Sequence, residues 1–155
     1  MFVCLRNICR SPLAAAIFHS KVKRQHLEKI IYCESSGTAN WHVGDPPDQR
    51  TIEVAEKHGI RMDHKGSQFC WQGGYFDYIM AMDEDNVKEL VAGSGDPGQK
   101  KRIFLMRNFD NLKSGTGVPD PYYGNRSDFE EVYHLLDECC DNFLEFLVKE
   151  HALEK

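Results

Sequence analysis

The chain has 155 residues, 41% of them hydrophobic and 28% charged, which predicts one soluble globular domain spanning residues 1–155. A net charge of −5 argues against nucleic acid as the main partner, and no window is apolar enough to span a membrane. Without a secretion signal or a C-x-x-C pair, the six cysteines are expected to be free thiols in a reducing, cytoplasmic setting. The histidines lack zinc-ligand spacing, and neither a metal nor another cofactor is expected.

The first predicted elements are a strand and a helix joined by a short loop. The residues before Cys4 are predicted to end a buried strand, so short that a few N-terminal residues are expected to be missing. Ser11 is predicted to cap the following helix, with Pro12 at its first position, where a missing N–H costs nothing. The helix is expected to run to about Gln25.

A second strand is predicted at residues 30–33, followed by a loop over 34–47. Asp48 is predicted to cap a helix that ends at Gly59. Residues 75–82 are predicted as a third strand, followed by a helix that Asp83 caps. The core face of that helix is predicted to carry three apolar residues, Val87, Leu90 and Val91.

The fourth strand is predicted at residues 102–106, and an irregular stretch follows as far as Gly124. Ser127 and Glu130 have the spacing of a capping box at the start of the last helix. Apolar side chains then recur every three or four residues, at Phe129, Tyr133, Leu136, Cys140, Phe143 and Leu147. The alternation of strands and helices predicts a doubly wound, flavodoxin-like α/β fold, in which helices cover both faces of a four-stranded parallel sheet.

The loop after the first strand carries the chemistry. In Cys4-Leu5-Arg6-Asn7-Ile8-Cys9-Arg10-Ser11-Pro12, five residues separate a cysteine from an arginine. A loop of this length can wrap backbone N–H groups around a phosphate, and the helix N-terminus adds positive potential that also stabilises a thiolate. We therefore predict Cys4 as nucleophile, Arg10 as phosphate clamp and Ser11 as a donor to the sulfur. The alternative is an inert buried thiol.

The sequence resembles the low-molecular-weight protein tyrosine phosphatases, which carry C-x-G-N-x-C-R-S-P near the N-terminus and D-P-Y-Y-G near the C-terminus. The second motif occurs here as Asp120-Pro121-Tyr122-Tyr123-Gly124, and the match extends through residues 34–38 and 41–48. The resemblance implies hydrolysis of phosphotyrosine in proteins through a phosphocysteine. It also implies that inorganic phosphate and vanadate compete for the site, and that Asp120 is the general acid and base.

The resemblance also assigns supporting roles. Phosphate binding or loop support falls to Leu5, Arg6, Asn7, Ile8, Cys9, Ser11, Ser35 and His64. Within that set, Asn7 is expected to bond Ser11, Ser35 and His64. The walls of the substrate cleft fall to Trp41, Tyr122 and Tyr123. Related phosphoarginine phosphatases have Thr where Ile8 stands, so Ile8 favours the tyrosine class.

Two positions in the loop raise separate questions. Cys9 is implied as a redox partner that forms a reversible disulfide with Cys4 and protects it from over-oxidation. Arg6 stands where the family has glycine. If that position needs a positive φ, arginine there costs about 1–3 kcal/mol of strain. Otherwise its side chain points outward towards acidic substrate residues, and activity is expected to be retained but lowered.

Two alternatives to a phosphatase remain open from the sequence. A thiol-dependent arsenate reductase shares this fold, but it needs redox cysteines besides those of the loop, and the only candidates outside the last helix are Cys33 and Cys70, which lack close pairing. A non-catalytic module that binds phosphate or phosphotyrosine is the other alternative, because Arg6 could impair turnover without abolishing binding.

Overall fold

The computed structural model describes residues 1–112 and 115–154. Within them, a four-stranded parallel sheet has the order β2-β1-β3-β4. The strands are β1 Phe2–Cys4, β2 Ser35–Gly37, β3 Ile79–Ala81 and β4 Ile103–Leu105. The α-helices are α1 Arg10–Arg24, α2 Gln49–Lys57, α3 Glu84–Ala92, α4 Pro97–Lys100 and α5 Arg126–Glu150. Short 3-10 helices occur at Trp71–Gly73 and Met106–Phe109.

Alternating side chains of β1 divide the core between the two faces of the sheet. Phe2 and Cys4 join the large cluster formed with α1 and α5, whereas Val3 packs with Leu90 of α3 in a smaller cluster. Helices therefore cover both faces, which confirms the predicted doubly wound fold. The apolar stripe predicted for the last helix is buried throughout.

Two predictions near the start of the chain are wrong. Helix α1 begins at Arg10 with Cys9 as N-cap, so Ser11 lies inside the helix and bonds to the preceding loop. The second strand is Ser35–Gly37 rather than residues 30–33. Ile30 ends a turn and is 55% exposed, and residues 31–33 have no regular structure, whereas the small side chains of Ser35–Gly37 are buried beside β1.

Other elements are displaced by smaller amounts. The third strand is shorter than predicted, and Tyr75, at the start of the predicted range, lies outside the sheet with the Arg102 guanidinium 4.2 Å from its ring centroid. Asn125 caps α5 and forms a capping box with Asp128, in place of the predicted Ser127 and Glu130 pair.

The predicted caps of α2 and α3, Asp48 and Asp83, are confirmed, but Val91 of α3 is exposed. Part of the predicted irregular stretch, residues 113–114, lies outside the described residues. Among the helices that are described, none combines the length and apolar character needed to cross a membrane.

Candidate active site

The carboxyl end of β1 runs directly into a loop of residues 4–10, here called the anion loop. The Sγ atom of Cys4 lies 3.0 Å from Ser11 Oγ, and the backbone N–H of Asn7 donates to the same sulfur at 3.3 Å. The thiol is almost completely buried. The loop therefore curls around the sulfur and holds it at the N-terminus of α1, where a negative charge is favoured.

Asn7 is the centre of the anion loop. Its φ of 58° is left-handed, a conformation that asparagine tolerates better than most residues. Its Nδ2 donates to Ser11 Oγ at 2.8 Å and to Ser35 Oγ at 3.0 Å, and its Oδ1 accepts from the Ser67 N–H at 3.0 Å. His64 Nε2 donates to the Asn7 carbonyl at 3.1 Å. Burial lowers the pKa of His64, although the bond to that carbonyl opposes the shift.

The backbone of the anion loop is held by neighbouring segments. The carbonyls of Leu5 and Ile8 accept from the N–H groups of Ala39 at 3.0 Å and Asp48 at 2.9 Å. A Cβ at position 37 would lie 2.9 Å from the Leu5 carbonyl oxygen, so Gly37 permits this close approach. The loop is thus fixed before any ligand binds.

Arg10 projects from the start of α1 and is only 3% exposed. Its Nη1 lies 2.6 Å from Asp83 Oδ2 and donates to the Val118 carbonyl at 3.1 Å, and its Nη2 lies 3.5 Å from Asp120 Oδ2. Burial by itself lowers the pKa of Arg10, but the charges of Cys4 and of the two carboxylates outweigh it and raise the pKa. The clamp is therefore a fully charged, pre-positioned guanidinium.

Asp83 is a site residue that the sequence pattern assigned only to helix capping. One carboxylate oxygen caps α3 by accepting from the Asn86 N–H at 2.8 Å, and the other bonds Arg10. The available signal was position: Asp83 follows β3, and the carboxyl ends of parallel strands share one edge of the sheet.

Asp120 lies in a second loop, residues 118–124, here called the acid loop. Asp120 Oδ1 accepts from the Tyr122 N–H at 3.1 Å. The loop is tied to α2 by Arg50, which donates to the carbonyls of Tyr122 at 2.9 Å and Gly124 at 3.1 Å. The sequence pattern also missed Arg50, because its partner Tyr122 is 72 positions away in the sequence.

Trp41, Tyr122 and Tyr123 surround the mouth of the site and are here called the aromatic slot. Trp41 is 62% and Tyr123 84% exposed, so neither serves the core. The two tyrosine rings are perpendicular, with centroids 4.8 Å apart. The resemblance assigned all three to the cleft, and the structure places them beside Asp120 and around Arg6.

Arg6 does not have the left-handed backbone that the strain hypothesis requires; in this loop the positive φ belongs to Asn7. Nor does its side chain point outward. Its Nη1 lies 3.2 Å from Asp120 Oδ2, and its guanidinium lies 4.2 Å from the Tyr122 ring centroid. The strain expectation for Arg6 is therefore wrong, and so is the outward orientation, because ion pairing and ring contacts draw the side chain into the cleft; the contact with acidic substrate residues stays a prediction.

Cys4, Arg10 and Asp120 line one cavity together with Arg6, Cys9 and Tyr122. Its volume is only about 10 Å³, whereas two cavities of about 370 and 650 Å³ do not include Cys4. Volume alone would thus misplace the site, and the side-chain chemistry locates it.

The cysteines differ in environment. Cys4 and Cys9 are both free thiols, and burial raises the pKa of Cys9 to about 12. The disulfide between them stays a prediction. Cys33, with its pKa raised to about 11 by burial, and the exposed Cys70 both lie outside the cavity that contains Cys4.

The site combines a buried thiol, a buried guanidinium and a facing carboxylate at the carboxyl edge of a parallel α/β sheet. This combination is typical of proteins that act on phosphate groups. The family described as low molecular weight phosphotyrosine protein phosphatase matches residues 1–153, and the chain belongs to it. A low molecular weight protein-tyrosine-phosphatase, PtpA of Staphylococcus aureus strain MRSA252, is 39% identical over 99% of this chain and 96% of its own length.

Two further relatives support membership of the same family. A putative low molecular weight protein-tyrosine-phosphatase of Synechocystis sp. is 38% identical over 97% of this chain and 96% of its own. The crystal structure of a protein tyrosine phosphatase from Entamoeba histolytica, with Hepes in its active site, is 37% identical and has a TM-score of 0.88. That alignment covers 98% of this chain and 97% of the other. These relatives do not favour an arsenate reductase.

Proposed function

We propose that the chain is a protein-tyrosine phosphatase that hydrolyses phosphotyrosine and other aryl phosphates through a phosphocysteine. The observation that carries the proposal is that Cys4, Arg10 and Asp120 line the same cavity although 110 positions separate the last two. A nucleophile, an anion clamp and a proton donor are the parts that this reaction needs.

In the first step, the Cys4 thiolate attacks phosphorus in line with the departing phenolate. The S–P bond forms as the P–O bond breaks, and Asp120 gives its proton to the leaving oxygen. Arg10 and the N–H groups of the anion loop stabilise the charge on the transferred phosphoryl group. Asp83 acts as a positioning residue, because it holds the Arg10 guanidinium.

In the second step, the ionised Asp120 takes a proton from water, which attacks the phosphocysteine. The P–O bond forms as the S–P bond breaks, releasing inorganic phosphate. The Ser11 hydroxyl, 3.0 Å from the sulfur, stabilises the departing thiolate. Both steps use groups of the chain itself. Inorganic phosphate and vanadate are expected to compete with the substrate for the anion loop.

The test is release of inorganic phosphate from a phosphotyrosine peptide and from p-nitrophenyl phosphate, with vanadate as inhibitor. Cys4→Ser is expected to abolish turnover, and the exposed thiol variant Cys70→Ser is the matched control that keeps it. Acid quenching should trap a phosphorylated peptide that contains Cys4. Binding without release would favour the non-catalytic module, and release from a phosphoarginine peptide alone would overturn the tyrosine class.

We also propose that Cys9 protects Cys4 during oxidation. Peroxide converts the Cys4 thiolate to a sulfenic acid, and the Cys9 thiol displaces hydroxide to give a disulfide and water. Dithiothreitol is expected to restore activity to the peroxide-treated chain but not to Cys9→Ser, with Cys70→Ser behaving as wild type. Equal recovery in all three would remove Cys9 from this role.

A further inference from the structure

The Arg6 guanidinium occupies the aromatic slot itself. Its central carbon lies 4.2 Å from the Tyr122 ring centroid, 5.4 Å from that of Tyr123 and 5.6 Å from that of Trp41. All three distances are within the range of about 6 Å over which a cation is attracted to a ring face. A planar cation thus stands among the three rings that would otherwise hold the aryl group of a substrate.

Two polar contacts fix the guanidinium there. Nη1 pairs with Asp120 Oδ2 at 3.2 Å, and Nη2 donates to the Tyr123 hydroxyl at 3.2 Å. As a result the Arg6 side chain is only 13% exposed, although it belongs to a loop at the mouth of a cleft. The remaining cavity of about 10 Å³ has room for about one water molecule. An aryl phosphate does not fit into a cavity of this volume while Arg6 fills the slot.

The movement required is a rotation of one side chain. The flanking backbone is held on both sides, through the Leu5 carbonyl and through every polar group of the Asn7 side chain. A rotated Arg6 would lose its carboxylate partner and its ring contacts. An entering aryl group makes contacts with the rings of the slot in place of Arg6. A substrate with uncharged neighbours, however, offers Arg6 no carboxylate in place of that of Asp120.

We propose that Arg6 is a specificity-determining residue, which fills the aromatic slot of the empty site and is drawn out by a carboxylate next to the phosphotyrosine of the substrate. The inference deepens the proposed phosphatase function and rests on it. Withdrawal of Arg6 also frees Asp120 Oδ2 from the guanidinium 3.2 Å away, so that the carboxyl group can face the leaving oxygen. Substrates with acidic flanks are therefore favoured over small aryl phosphates.

The experiment compares kcat/KM for three substrates: p-nitrophenyl phosphate, a phosphotyrosine peptide with neutral neighbours, and the same peptide with glutamate on both sides. Arg6→Gly and Arg6→Gln both remove the guanidinium. The glycine leaves no side chain in the slot, whereas the glutamine leaves an uncharged one. Arg24→Gln, on the exposed end of α1, removes the same charge away from the site and is the matched control.

Both Arg6 variants are expected to raise kcat/KM for p-nitrophenyl phosphate about tenfold, which corresponds to about 1.4 kcal/mol for the ion pair and the cation–π contacts that this substrate must displace. The preference of the chain for the acidic peptide should fall to near unity in both variants. Arg24→Gln should change neither quantity. An unchanged preference for the acidic peptide would overturn the role of the substrate carboxylate, even if p-nitrophenyl phosphate is hydrolysed faster.

Binding separates this inference from the proposed function. The affinity for benzylphosphonate, which is not hydrolysed, is measured calorimetrically for the same chains and is expected to rise about tenfold in Arg6→Gly. If the chain turns over aryl phosphates but Arg6→Gly is no faster and binds no tighter, the role of Arg6 is overturned and the phosphatase stands. If no chain releases phosphate, the phosphatase fails, and tighter binding by Arg6→Gly still supports Arg6 as the occupant of the slot. Absence of binding in every chain overturns both.

Discussion

The anion loop and the acid loop face each other across one cleft, but they are held in different ways. The anion loop is buried and is fixed by neutral hydrogen bonds from Asn7, Ser35 and backbone groups of the neighbouring segments. The acid loop is largely exposed, and its carboxylate and carbonyls are held by the guanidinium groups of Arg6, Arg10 and Arg50. One loop is held by hydrogen bonds between neutral groups, and the other by charged side chains.

The difference matches what each loop has to do. A cradle for the phosphoryl group gains from being fixed before the substrate arrives, because reorganisation then costs nothing during the reaction. In the proposed mechanism, Asp120 is instead a proton donor in one step and an acceptor in the next, so its partners have to change. Substitutions in the two loops should therefore give different combinations of effects on activity and stability.

The largest effect on turnover is expected from Asp120→Asn in the acid loop. The amide keeps the size of the side chain but can neither donate a proton to the leaving oxygen nor accept one from water, so kcat should fall about 10²- to 10⁴-fold. The loss should grow as the pKa of the leaving phenol rises across a series of aryl phosphates. Stability in urea should change little, because the residue is partly exposed. Equal losses for all leaving groups would contradict the role of Asp120 as the acid.

Asn7 tests the anion loop, where activity and stability are expected to fall together. Asn7→Ala removes two donors and one acceptor from a buried network and also places alanine at a φ of 58°. Unfolding free energy should fall by roughly 2–4 kcal/mol. Asn7→Gly loses the same bonds without the strain, so it should be about 1 kcal/mol more stable than Asn7→Ala. Asn108→Ala, at an exposed asparagine, is the control. Identical stabilities for the alanine and glycine variants would show that the left-handed backbone costs nothing.

The sequence predicts the placement of Cys4 and Arg10 far better than it predicts what holds the acid loop, and the reason is the range of the contacts. Cys4 and Arg10 are brought together by local spacing, and the apolar stripe of α5 follows from helical periodicity. The pairing of Arg10 with Asp83 and the ties from Arg50 to the acid loop join distant segments, so no local pattern encodes them. The family resemblance supplied Asp120, but not what holds it.

Strand β2 and Arg6 show two further limits. Ser35–Gly37 is polar and small, so apolar patterning favoured residues 30–33, whereas the close approach of the Leu5 carbonyl to position 37 requires glycine there. Arg6 occupies a position where the family has glycine, so the resemblance directed attention to the backbone. Its rotamer depends on Asp120 and three rings that lie elsewhere in the sequence, and these contacts exist only once the chain is folded.

The smallest effect is expected from Arg50→Met, which loosens the acid loop without touching its chemistry. Loss of the bonds to the Tyr122 and Gly124 carbonyls should lower kcat by about three- to tenfold, equivalent to roughly 1 kcal/mol, for substrates with poor leaving groups.

Arg50 also lowers the pKa of Asp48, chiefly through their side-chain hydrogen bonds. The stability from this pair is therefore present above the ordinary pKa of an aspartate and is lost as pH falls through the lowered value. Thermal unfolding of Arg50→Met should lack that acid-dependent component. If Arg50→Met instead raised kcat/KM for p-nitrophenyl phosphate, as expected for Arg6→Gly, the two arginines would share one role, and Arg50 would restrain the acid loop rather than support it.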